Sequence, residues 1–387
     1  MRGKTRRSIA GLALAALVWV AWWAWPYAES AALILDLTGH RGLARSLLPV
    51  RTRDVTTYDV NVPTRFGSVP ARAYRPTGTA TRAVVVFPGI HSGGVDEPRL
   101  AAFSRRLAAT GATVLSVPLP DLRVYAITPR STDMAEDVAV WMASRRDLAP
   151  SGRVAIAGIS FGGGLALVAA GRPSLAGKVD FVVSLGGHGD LPRVLHYLCT
   201  GQLPDGTTRP PHDYGLVVLL LAALPHFVPP HQLDPLRRAI VTYLDASGAE
   251  STDPARSKTL LADAETEANA LAEPATTVMR WVTTRDAKTV GPMLLPYLEE
   301  LGGAAALSPE RSPAATAPVF LLHGRDDNVI PSTETTSVAA YLHAAGNQHV
   351  VWLLSPIISH ADAKVTSLRD AWDMVGFWKQ VLAAPAR

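Results

Sequence analysis

The sequence predicts an α/β protein, with a mostly parallel central sheet flanked by helices and a mainly helical insertion in its second half. Three observations predict it. Apolar, strand-like runs alternate with helical patterns from Val55 to Leu185, and the rhythm resumes at Val319. Between Leu191 and Thr316 the rhythm is absent. At one strand-to-helix junction stands the pentapeptide Gly158-Ile-Ser160-Phe-Gly162.

Val55–Val62 and Val69–Tyr74 read as antiparallel edge strands joined by a turn over Thr64–Ser68. Ala83–Phe87 is a continuous β-branched run, the pattern of a strand buried on both faces. Leu100–Ala109 has helical spacing, Thr113–Val117 is a strand, and Thr132–Arg146 is a helix with Met134, Val138, Trp141 and Met142 on one face. Val154–Ala157, Gly162–Ala170 and Phe181–Leu185 continue as strand, helix and strand. In the insertion, Leu216–Leu224 is strongly apolar but too short to span a bilayer. Helical stretches follow near Pro235–Tyr243, Ser257–Ala272 and Met293–Leu301. Strands at Val319–Leu322 and Val350–Leu354 then alternate with helices at Glu334–Ala344 and Val365–Leu382. The predicted organisation is therefore an N-terminal segment over 1–50, a core over 51–190 and 317–387, and an insertion over 191–316.

Of 387 residues, 48% are hydrophobic and 18% charged, which excludes a disordered chain. The formal charge is +4, and basic residues form no run beyond the first seven positions, so a nucleic-acid partner is not expected. Cys199 is the only cysteine, which rules out an intramolecular disulfide and any Cys-rich metal site. His196, His212, His226 and His231 have no metal-ligand spacing, and no cofactor is implied. After Arg2, Lys4, Arg6 and Arg7, an uncharged apolar run extends from Ile9 to Trp25 and ends in Trp19, Trp22, Trp23 and Trp25. That order predicts an N-terminal membrane anchor with the rest of the chain outside the cytoplasm, the alternative being a cleaved signal and a secreted or periplasmic product.

The pentapeptide carries the chemistry. A sharp strand-to-helix turn holds its serine at a helix N-terminus, whose amides stabilise developing negative charge, and glycines two before and two after give it room. A serine hydroxyl needs a base and a group to orient that base. Asp326 and Asp327 both follow the strand Val319–Leu322, on the rim where Ser160 lies. His360 stands between the last strand and the last helix. His188 and Asp190 follow the strand Phe181–Leu185 near the same rim.

These residues resemble the α/β-hydrolase superfamily, in particular its serine esterases, lipases and dienelactone-hydrolase-like members, over Val55–Leu185 and Pro318–Ala384. The resemblance implies Ser160 as nucleophile and His360 as base. In the stretch His323-Gly-Arg-Asp-Asp327-Asn-Val-Ile-Pro331, the family's acid falls at Asp327 rather than Asp326, and because some members take their acid after the preceding strand, Asp190 is the reserve acid. It implies oxyanion-hole donors at the backbone N–H of Phe161 and, from the family's Pro-Gly variant in Pro88-Gly89-Ile90-His91, of Ile90. It also implies that the insertion is a lid. A serine at the elbow, where related dehalogenases and epoxide hydrolases carry aspartate, implies acyl transfer. The expected function is cleavage of a carboxylic ester in a small acyl substrate, with a peptidase, a thioesterase or an inactive binding protein on the same fold as alternatives.

Overall fold

The computed structural model describes residues 19–20, 23–37, 45, 48, 52–250, 252–358 and 367–384. Among these residues, eight strands, β1 (Val55–Thr64), β2 (Gly67–Pro76), β3 (Arg82–Phe87), β4 (Ala112–Ser116), β5 (Val154–Ile159), β6 (Val179–Leu185), β7 (Val319–Gly324) and β8 (Val350–Ser355), form one sheet in the order β1-β2-β4-β3-β5-β6-β7-β8. The β1–β2 pair is antiparallel, as the edge hairpin predicts, β2–β4 is antiparallel as well, and every other pair is parallel.

Burial on both faces explains the unbroken apolar strands. On β3, Val85 and Phe87 join the core that contains Met134, Val138 and Met142 of helix α2 (Pro129–Ser144). Val84 and Val86 point the other way, into the core with Leu100 and Leu107 of α1 (Pro98–Ala109) and Phe377 of α11 (Leu368–Ala383). Each such side chain contributes about 1.5–3 kcal/mol when fully buried, and the strict period-two division fixes the register.

Between β6 and β7 the chain is helical. After α3 (Phe161–Ala170), the helices α4 (Leu191–Thr200), α5 (Asp213–Ala223), α6 (Pro230–Ala249), α7 (Pro254–Asn269), α8 (Ala275–Thr283) and α9 (Ala287–Leu294) precede β7, and α10 (Thr333–Ala344) joins β7 to β8. The apolar run of α5 is internal: Leu216, Val217, Val218, Leu219, Leu220 and Leu221 are all buried. α6 is longer than the sequence indicates, because Pro235 lies inside it rather than at its start. The expected helix at Met293–Leu301 is interrupted by a 3₁₀ turn, Leu295–Tyr297, around Pro296.

An N-terminal helix over residues 23–37 packs on α11, with Leu33 in the same core as Met374 and Phe377. Among the described residues, no helix is long and apolar enough to cross a membrane. Most of the run Ile9–Trp25 lies outside the described residues.

Candidate active site

Ser160 occupies the turn between β5 and α3 with φ 53° and ψ −130°. A non-glycine residue there is strained, by on the order of 1–3 kcal/mol, and persists only when its surroundings hold it. They do so from both sides. Its N–H donates to the Leu185 carbonyl at the end of β6 (2.7 Å), and its own carbonyl accepts from Gly163 N (2.8 Å). The flanking glycines are steric requirements: a Cβ on Gly158 would lie 2.1 Å from the Gly162 oxygen, and one on Gly162 would lie 2.4 Å from the Pro88 oxygen. The loop after β3 passes equally close. A Cβ on Gly89 would stand 2.9 Å from Ser160 Cβ and 3.3 Å from its Oγ. Ile90 follows Gly89 along this loop, and Phe161 opens α3, so both expected oxyanion donors belong to segments in contact with the serine.

Of the two adjacent acids, Asp326 is exposed and Asp327 is buried. One Asp327 oxygen, Oδ1, accepts from Val329 N (2.8 Å) and Ile330 N (3.1 Å). Its Oδ2 lies 3.5 Å from His323 Nε2. That histidine is fully buried and already committed, with Nε2 2.9 Å from the Ile330 carbonyl and Nδ1 2.7 Å from Thr335 Oγ1. A carbonyl can only accept, so the proton sits on Nε2 and the ring braces the Asp327 turn. Asp327 and Ser160 flank the same strand end: Ser160 bonds to Leu185, and a Cβ on the next residue, Gly186, would lie 3.7 Å from Asp327 Oδ2. His360 lies outside the described residues.

The reserve acid is occupied elsewhere. Asp190 caps α4 by accepting from Arg193 N (2.9 Å) and pairs with Arg311 Nε at 2.5 Å. His188 is wholly buried, stacks on Phe161 at 4.8 Å, and donates from Nε2 to the Leu307 carbonyl (2.7 Å). Burial holds its pKa below the ordinary imidazole value, so it packs beneath the elbow as a neutral ring. His91 accepts from Gly93 N at Nδ1 (3.2 Å), and burial lowers its pKa as well. His212 caps α5, and His226 pairs with Glu300 at 3.0 Å. Among the described residues, no cluster of three or more His, Cys, Asp or Glu could hold a metal ion.

Two tyrosines that no local motif announces link the inserted helices to this site. Tyr214 of α5 donates to the Ile90 carbonyl (3.2 Å), and Tyr125, held at φ 60°, donates to Asp245 of α6 (2.5 Å). Their rings meet edge to face at 6.1 Å. Burial pushes both phenol pKa values up, so both remain donors at neutral pH.

The parallel sheet with its antiparallel leading hairpin, the strained serine at the β5–α3 turn and the buried acid after β7 define the α/β-hydrolase fold. A protein from Legionella pneumophila subsp. pneumophila, whose description as a hydrolase is itself provisional, shares this fold with a TM-score of 0.52 at 13% identity, over 91% of this chain and 95% of its own. An esterase from Pyrobaculum calidifontis matches with a TM-score of 0.46 at 20% identity, over 92% of this chain and 89% of its own. A thermostable carboxylesterase cloned from a metagenomic library gives 0.46 at 18% identity, over 92% and 95%. No family model and no curated protein matches the sequence.

Proposed function

We propose that the protein is a serine hydrolase that cleaves carboxylic esters through Ser160, His360 and Asp327. The observation that carries this reading is the backbone of Ser160, strained and held at a helix N-terminus against the loop after β3. His360 removes the Ser160 proton as Oγ attacks the ester carbonyl, and Asp327 orients the imidazole. The N–H groups of Ile90 and Phe161 receive the oxyanion. Collapse breaks the bond to the alkoxide, which leaves with the proton from His360. Water, deprotonated by His360, then releases the carboxylic acid and restores the serine. The inserted helices act as a lid, and the run Ile9–Trp25 tethers the enzyme to a membrane with its catalytic body outside the cytoplasm.

The test is fluorophosphonate labelling and p-nitrophenyl ester turnover by the full chain in detergent, beside Ser160→Ala. Labelling and turnover that disappear in the variant support the reading. A folded wild-type protein that takes no label overturns it.

A further inference from the structure

The N-terminal helix and α11 together carry an exposed aromatic face on the side of the chain where the apolar N-terminal run enters. Trp23 and Trp372 are 54% and 59% exposed, and Leu368, one turn before Trp372 on the same face of α11, is 91% exposed. These are not scattered residues. The Tyr27 ring lies 5.2 Å from the Trp23 ring and stacks on Trp372 at 5.3 Å, 7° from parallel. Lys379 sits over Tyr27, its Nζ 4.2 Å from the ring centre and 2.9 Å from the hydroxyl. The row therefore has a fixed geometry across two helices that are remote in sequence.

We propose that this face docks the body of the protein on a lipid bilayer, with Trp372 and Leu368 in the headgroup layer. The proposal rests on the reading that the apolar N-terminal run is seated in the membrane. An uncharged run from Ile9 to Trp25 leads directly into the helix that bears Trp23 and Tyr27. With Trp23 where the run leaves the hydrocarbon, Tyr27 stands one helical turn further, about 6 Å along the axis. A headgroup layer is about 5–8 Å thick. The ring stacked on Tyr27 therefore falls within that layer, where tryptophan and tyrosine are favoured because they join an apolar body to a polar edge. The exposed Asp373 beside Trp372 keeps the contact at headgroup depth.

Leu368→Cys provides the test, because Cys199, the chain's only cysteine, is buried and an added thiol at an exposed site takes the label. The full-length variant, labelled with a nitrobenzoxadiazole dye, is mixed with phosphatidylcholine/phosphatidylglycerol vesicles, and flotation is run in parallel. The expected result is a blue shift on vesicle addition, quenching by lipid nitroxides near the headgroup, and a smaller shift when Trp372→Ser is added. Protein that floats without a shift overturns docking and leaves the tether standing. Protein that does not float yet shifts with vesicles overturns the tether and, with it, the docking geometry that rests on it. No shift and no flotation overturns both. A shift that needs no vesicles and grows with protein concentration assigns the face to a second copy and overturns the proposal.

Discussion

The hydroxyl of Tyr214, on α5, donates to the carbonyl of Ile90 in the loop that lies against Ser160. The inserted helices thus reach the site through a polar contact made by a buried phenol. A neutral hydrogen bond of this kind contributes about 0.5–1.5 kcal/mol net. Tyr214→Phe keeps the ring and its edge contact with Tyr125 while releasing the Ile90 carbonyl. The expected result is a fall in kcat of about 2–10-fold, with KM little changed. Stopped-flow ester hydrolysis with a parallel melting curve checks it. An equal loss of stability with kcat untouched would make the contact purely structural.

Asp327→Asn retains an oxygen that can accept from Val329 N and Ile330 N, so the turn survives while the charge is lost. On the proposed triad, kcat falls by about 10³–10⁴-fold, as when other triad acids are neutralised. Asp326→Asn and Asp190→Asn leave kcat within about twofold, since one side chain is exposed and the other caps α4 and pairs with Arg311. Side-by-side kcat values for the three variants decide among the acids.

Gly158→Ala places a methyl group where the Gly162 carbonyl stands, 2.1 Å away. The elbow cannot accommodate it without displacing backbone, so the variant is expected to melt well below wild type and to take no fluorophosphonate. Gly248→Ala, within α6, adds a methyl group to open space and should raise stability by about 0.5–1 kcal/mol. Differential scanning calorimetry of the pair separates steric necessity from helix propensity.

His188 makes stability depend on pH. Its pKa is depressed in the folded state by burial, so unfolding takes up a proton once the pH drops below the unfolded value of about 6.5. Its contribution is complete above that pH and is lost as the pH falls from about 6.5 toward the lower folded value, with a slope of up to about 1.4 kcal/mol per pH unit. His188→Gln can still donate to the Leu307 carbonyl but has no such proton. Its melting temperature should fall less steeply than that of wild type between pH 6.5 and 5.

Local features of this site were legible in the sequence, and long-range ones were not. The β5–Ser160–α3 junction could be read because the strand, the serine and the two glycines lie within a dozen residues and the geometry needs only them. Charge alone could not separate Asp327 from Asp326, and only the family resemblance favoured Asp327. What distinguishes it is burial against His323 and two backbone amides, which depends on how the turn closes. The contact between Tyr214 and Ile90 spans 124 positions and leaves no periodic trace. Pro235 marked a false helix start, because a proline removes only one internal hydrogen bond and a well-packed helix continues through it.

The pairing of Leu185 with Leu322 joins β6 and β7 side by side at their carboxyl ends. Because the two strands are parallel, the chain leaves β6 for the inserted helices beyond Leu185 and re-enters at the amino end of β7, where Val319 pairs with Val182. Ser160 hangs from the carboxyl end of β6, and Asp327 follows the carboxyl end of β7. Their spacing is set by one ladder rung and is independent of the length or shape of what is looped out between. Helices can be added, trimmed or exchanged in that excursion as a replaceable module, and the serine and the acid keep the same separation.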